Sequence, residues 1–262
     1  MPAIAMHHFY ALEVAKRLSS DLQKIIEENQ AFYNIGAQGP DIFFFYKPIL
    51  PNKVNKYGVK LHHQNASRLL NNKHINKEDI NDQFIAYLLG YVTHFSLDSS
   101  FHPIINQVCP NFNEHMILES ELERIIIAKN TKNKDAHLYK RHQLIDINQD
   151  YGKVLSPFYS ELHAHTIDRA IKDMHKYTQF LYAPENKRKN KYNKFFNIFV
   201  KKANFSNMMI SENINDTYDS TITYLLSIYE QTIIYGQILC MNLIEHLNDN
   251  IELDKSFNKD FE

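Results

Sequence analysis

Residues Thr93–Pro103 read Thr-His-Phe-Ser-Leu-Asp-Ser-Ser-Phe-His-Pro, so His94, Asp98 and His102 recur every four positions. On an α-helix, residues four apart share a face, with Cβ atoms about 5–6 Å apart. A helix here aims an imidazole and a carboxylate at one point and leaves the second oxygen of Asp98 for a neighbouring centre. Pro103 disfavours helical geometry at His102. It predicts a helix that ends there and a His102 turned toward a different centre. Downstream, His115 and Glu119 repeat the four-residue spacing. One such pair is ordinary on a helix surface; two, with a further histidine between them, point to metal binding.

The chain's totals narrow the kind of metal site. Fourteen histidines accompany only two cysteines, Cys109 and Cys240, which form no Cys-x-x-Cys pattern. Any metal would be held by imidazole and carboxylate, a donor set that suits zinc kept available for chemistry. A formal net charge of −1 gives no global electrostatic argument for nucleic acid or membrane. The amino-terminal Met-Pro-Ala-Ile-Ala-Met-His-His lacks a basic region followed by an apolar run, which predicts a cytoplasmic chain without a secretory signal. Thr221–Ile244 is the longest apolar stretch. Glu230, Gln231, Gln237 and Asn242 interrupt it, so a buried helix is expected rather than a transmembrane span.

Taken in order, Ala11, Val14, Leu18, Leu22 and Ile25 trace an apolar stripe that predicts one helix over 5–28. The stripe extends back to His7 and leaves His8 facing solvent. Gly39-Pro40 is a loop signal that places Asp41 where the chain leaves a turn, ahead of the aromatic run Phe43–Tyr46 as core or pocket wall. A helix after Tyr57-Gly58 carries His62 and His63, of which one faces inward. Asn76-Lys77-Glu78-Asp79 reads as the cap of the helix carrying the histidines, with Ile80, Phe84, Tyr87 and Tyr91 as its packing stripe. A further helix spans 114–129 with His115 and Glu119, and Glu123 is expected in a surface salt bridge.

The second half is chemically quieter. Helical patterns cover 150–163, 166–182 and 220–247, and His137, His142, His163, His165, His175 and His246 read as structural. Between the last two helices, 187–202 interleaves lysines with aromatics. The pattern suits peripheral contact with an anionic membrane surface or nucleic acid but reads by default as solvated lysines over core phenylalanines. No stable nucleic-acid partner is expected. No alternating run predicts a sheet and no internal repeat is visible. The expectation is an all-α fold, a single helical domain over 1–262 with its motifs in about the first 125 residues.

The ordered set His7, Asp41, His62, His94, Asp98, His102, His115, Glu119 resembles the bacterial zinc-dependent phospholipase C family and, more distantly, the fungal single-strand-specific zinc nucleases. The resemblance is carried by Gln-Gly-Pro-Asp-Ile-Phe-Phe-Phe-Tyr, by His-x-x-x-Asp followed by His-Pro, and by His-x-x-x-Glu. It implies a helical fold around a cleft with two to three zinc ions. Asp41, His62, His94 and Asp98 would take one zinc, and His102, His115 and Glu119 a second. The third would take His7, the other oxygen of Asp98 and the free amino terminus, which loss of Met1 would place at Pro2. His62 is preferred to His63 on the resemblance.

The implied substrate is a phospholipid or another phosphodiester, with Asp41 and Asp98 as the catalytic candidates. Clustered dications lower the pKa of water and neutralise charge on phosphoryl oxygens, which are the demands of phosphodiester cleavage. Two rivals stand beside this reading: a phosphodiesterase of the same fold acting on nucleic acid, and a non-catalytic zinc-binding helical protein.

Overall fold

One helix is buried over most of its length on all sides, and the architecture follows from surrounding it. In the computed structural model, which describes residues 3–132, 135–182, 205–249 and 251–262, the chain is helical with no strand among those residues. The expected contact segment 187–202 and the first two residues lie outside them. The helices are α1 (Ile4–Ala15), α2 (Ser20–Glu28), α3 (Gln30–Gly36), α4 (Lys53–His62), α5 (Ser67–Leu70), α6 (Asp82–Val108), α7 (Phe112–Thr131), α8 (Tyr151–Leu155), α9 (Ala164–Phe180) and α10 (Asp219–Asp249). A 3-10 turn covers Gly39–Phe45, and another, Lys255–Asn258, follows α10.

The central element is α6, most of whose residues between Phe84 and Ile105 are buried, and it packs chiefly against α3, α10 and α1. A helix with apolar residues around most of its circumference needs neighbours on nearly every side. Its crossing with α3 is close enough to require glycine: a Cβ on Gly90 would lie 2.2 Å from the carbonyl oxygen of Tyr33. At the far end, Phe84, Tyr87 and Tyr91 join Phe158 and Tyr159 in an edge-to-face aromatic cluster. Among the described residues, no helix is long and apolar enough to cross a membrane.

Several boundaries differ from the periodicity. The first predicted helix is two. Ser19 adopts an extended conformation, and the Gln23 amide donates to the carbonyls of Lys16 and Leu18, closing the end of α1. His8 is half-buried rather than solvent-facing, and burial lowers its pKa to about 4. Asn76 and Asp79 cap only the separate turn Lys77–Asp79, whereas α6 starts at the cap Asn81, whose side chain accepts from Phe84 N. The expected helix 150–163 stops at Leu155. Pro157 has no N–H to offer, and the Asn72 amide takes the carbonyls of Pro157 and Phe158.

Pro103 does not end α6, which continues to Val108. An interior proline costs roughly 3 kcal/mol. Phe101 and Ile105, both buried in the core on either side of it, offset that cost through packing.

Candidate metal centre

Five elements deliver the site residues to one buried region. α1 carries His7, the turn Gly39–Phe45 carries Asp41, and α4 ends on His62. α6 carries His94, Asp98 and His102, and α7 carries His115 and Glu119. Local chemistry sets each of these. Asn52 caps α4 by accepting from Val54 N and Asn55 N, and Asn55 donates to the carbonyls of Phe43 and Tyr46, tying the turn to the helix. Gly39 has φ of +51°, and a Cβ there would lie 2.4 Å from the His94 ring. Only glycine lets the turn press Asp41 against α6. Asn111 caps α7 by accepting from Asn113 N and Glu114 N.

His7, Asp41, His62, His94, Asp98, His102 and Glu119 are buried and His115 is partly so. Their donor atoms form three groups, each within 4.8 Å: His7 with Asp41 and His94, His62 with His94 and Asp98, and His102 with His115 and Glu119. His62 is the inward histidine of its pair; the His63 side chain is 56% exposed and lies 3.5 Å from Glu262. Asp98 faces two ways. Its Oδ2 lies 3.1 Å from His94 Nε2, and its Oδ1 lies 3.4 Å from His7 Nε2 and 3.8 Å from His102 Nε2. His62 Nε2 is 3.0 Å from Asp41 Oδ1, and Glu119 Oε1 is 2.9 Å from His115 Nε2 and 3.3 Å from His102 Nε2.

The opposite ring nitrogens fix the tautomers. The Nδ1 atoms of His62, His94 and His102 donate to the carbonyls of Gly58, Ala37 and Phe261 at 2.9, 3.2 and 2.9 Å. A carbonyl only accepts, so each Nδ1 carries the proton and a neutral ring turns its Nε2 lone pair toward a carboxylate. Lone pair against anion is repulsive unless a proton or a cation lies between. Nε2 of His62, Nε2 of His94 and Oδ2 of Asp98 are buried and make no hydrogen bond. Protons alone are a poor remedy, because His7 and His94 are stacked with ring centroids 4.3 Å apart. Burial, and then the neighbouring His94, lower the His7 pKa to about 3. A divalent cation resolves the conflict. Tetrahedral zinc with bonds of about 2.0–2.2 Å separates its ligands by about 3.4 Å, close to the 3.0–3.4 Å of the His62–Asp41, His94–Asp98 and His7–Asp98 contacts. The residues present fit zinc.

Charge compensation is strong throughout the site. Burial by itself raises the Asp98 carboxyl, but the imidazoles of His94, His102 and His7 reverse this and hold it well below the usual range. Burial raises Glu119 and Asp41 too, but both are lowered, first by the positive amino terminus and then by His115 and His102 at Glu119 and by His62 and His94 at Asp41. His102 goes the other way. Burial lowers it, but Asp98 and Glu119 push it up to about 9, so without a cation it carries a proton that a metal would displace.

A cleft of about 490 Å³ opens onto this region, lined by His62, His102 and His115 together with Phe44, Val59 and Phe112. Phe44, from the aromatic run, stacks on His62 at 4.9 Å, while Phe43 and Phe45 enter the core. None of His137, His142, His163, His165, His175 and His246 belongs to a metal-type group among the described residues.

Glu123 is a correction to the sequence reading. It is buried, not a surface partner: Oε1 accepts from Ala5 N at 2.6 Å and Oε2 from Arg141 Nη1 at 2.7 Å. It pins the start of α1 two residues before His7. Neither Glu123 nor the Phe261 carbonyl carries a spacing signal that could have revealed its partner.

A family model described as zinc dependent phospholipase C matches residues 6–228. Comparison with curated proteins and with solved structures yields no match.

Proposed function

This chain belongs to the zinc-dependent phospholipase C family, and from that premise we propose that it hydrolyses the phosphodiester of a glycerophospholipid. The observation that carries the reading is Asp98, whose two oxygens face imidazoles of separate groups inside a buried cluster. We assign Asp41, His62, His94 and Asp98 to one zinc, His102, His115 and Glu119 to a second, and His7 with the other Asp98 oxygen to a third. Zinc bound there supplies nucleophile activation and neutralises charge on the phosphoryl oxygens. The chain's own residues do the rest. Carbonyls of Gly58 and Ala37 lock the tautomers of His62 and His94, so no proton movement is needed to present their Nε2. The Phe261 carbonyl holds the Nδ1 proton of His102, whose Nε2 is the one to be cleared of a proton. Asp98 fixes the spacing between groups, and Asp41, beside His62, orients the attacking water. Phe44, Val59 and Phe112 give the cleft apolar walls that suit the glyceride side of a lipid and exclude water around the phosphoryl group.

Protein purified without added metal is expected to contain two to three zinc per chain by elemental analysis. It should cleave phosphatidylcholine in mixed micelles, lose that activity to a chelator and recover it with zinc. Cleavage of single-stranded DNA but not lipid would transfer the reading to nucleic acid; absence of bound zinc would end it. The two neighbouring histidines offer a sharper contrast. His62→Ala is expected to lose zinc, with affinity at its centre down roughly 10–100-fold or more, whereas exposed His63→Ala keeps wild-type content. Greater loss at His63 would reverse the assignment.

A further inference from the structure

The segment after α10 returns across the molecule to the metal region, beyond the span that the family match covers. It is tied down along its length. The Asn242 side chain accepts from Asp254 N at 2.7 Å, and the Asp254 side chain caps the turn Lys255–Asn258 through Ser256 N. Phe257 stacks on Phe95 of α6. Lys259 O accepts from Ala66 N at 3.1 Å. Phe261 then sits, fully buried, with its ring against Phe95, His62, His94 and Tyr91 at centroid distances of 5.2, 5.4, 5.7 and 5.8 Å.

Both backbone groups of Phe261 are spent on ligand-type histidines. Its N–H donates to the His62 carbonyl at 3.1 Å, and its carbonyl accepts from His102 Nδ1 at 2.9 Å. His62 and His102 fall in different donor groups. One residue thus bridges the end of α4 to the last turns of α6. The effect on the two histidines is unequal. The His62 ring takes its Nδ1 hydrogen bond from Gly58 within its own helix, and Phe261 hydrogen-bonds only its main chain while packing its ring against the imidazole. Among the described residues, Phe261 is the one Nδ1 partner of the His102 ring.

We propose that Phe261 is a positioning residue for the metal centre, its carbonyl fixing the tautomer and aim of His102 so that Nε2 faces Glu119 and Asp98. The chemistry requires such a partner. Without an acceptor at Nδ1 the His102 ring is free to rotate or to hold its proton on Nε2, which cannot then bind a cation. The inference rests on the zinc reading above, and its test separates the two.

The test compares zinc affinity, by competition with a chromophoric chelator, in the wild-type protein, in a variant lacking residues 260–262, and in Phe261→Gly. The glycine variant keeps the chain length and loosens the anchor, so it serves if the deletion does not fold. One ion is expected to weaken roughly 10–100-fold, while the others change less than about threefold. A merely structural role would weaken all ions together. His115→Ala damages the same centre, so deleting 260–262 in that background is expected to add little further loss. Wild-type affinity in both variants, or an equal fall at every ion, would overturn the proposal while leaving the zinc reading intact. No zinc on the wild-type protein would overturn both.

Discussion

Asp98→Asn is expected to lose at least one zinc and to lower phosphodiester hydrolysis on the order of 10³-fold, since a metal ion supplies several kcal/mol of transition-state stabilisation. The substitution conserves shape, so α6 and its helical signal should survive. It removes two things at once. The negative charge that compensates His94, His102 and His7 disappears. The two ends of the side chain also cease to be equivalent: an amide presents one acceptor, whereas Asp98 presents Oδ2 to His94 and Oδ1 to His7 and His102. Only one of the two facing groups can keep its oxygen. Elemental analysis beside a steady-state assay checks the expectation, and circular dichroism confirms the fold. Full zinc content with full turnover would remove Asp98 from its bridging role.

The second large effect lies away from the cleft. Glu123→Ala is expected to destabilise the protein by about 3–5 kcal/mol, the cost of leaving one member of a buried ion pair without its partner. Arg141 would keep its bond to the Met208 carbonyl but lose the carboxylate at 2.7 Å, and the Ala5 N–H would lose its acceptor. Burial already pushes the Glu123 carboxyl up against the pull of Arg141, which shows how dry the pair is. The double variant Glu123→Leu with Arg141→Met should recover much of the loss, because no buried charge then remains uncompensated. Urea unfolding of the metal-free protein measures both. Additive losses in the double variant would show that the two residues act independently. Since Glu123 holds Ala5 just ahead of His7, zinc binding involving His7 should weaken as well.

Much of the molecule was legible in the chain because it is encoded at short range. The pairs His94–Asp98 and His115–Glu119 follow from helical period alone, and apolar runs announce the helices α6 and α10, although α10 buries only one side and leaves Tyr224, Ile234, Ile238 and Met241 exposed. The helical class, the absence of strands among the described residues and the family were all readable in this way. Boundaries were less so. The break between α1 and α2 depends on a glutamine reaching back to two carbonyls, and the true cap of α6 stands five residues after the first plausible one.

Periodicity along the chain thus specifies a set of faces: which residues share one side of a helix and which chemistries recur there. Tertiary structure decided which faces meet. His62 rather than His63 turns inward because α4 packs on the aromatic turn. α6 runs through Pro103 because its flanking side chains are held in the core. Glu123 is buried because Arg141 and the start of α1 reach it. His102 is aimed by a carbonyl that is 159 residues away in sequence. Periodicity constrains dihedral angles and local neighbours, but a contact between distant segments depends on how all the intervening helices pack, and no single stretch of chain carries that information.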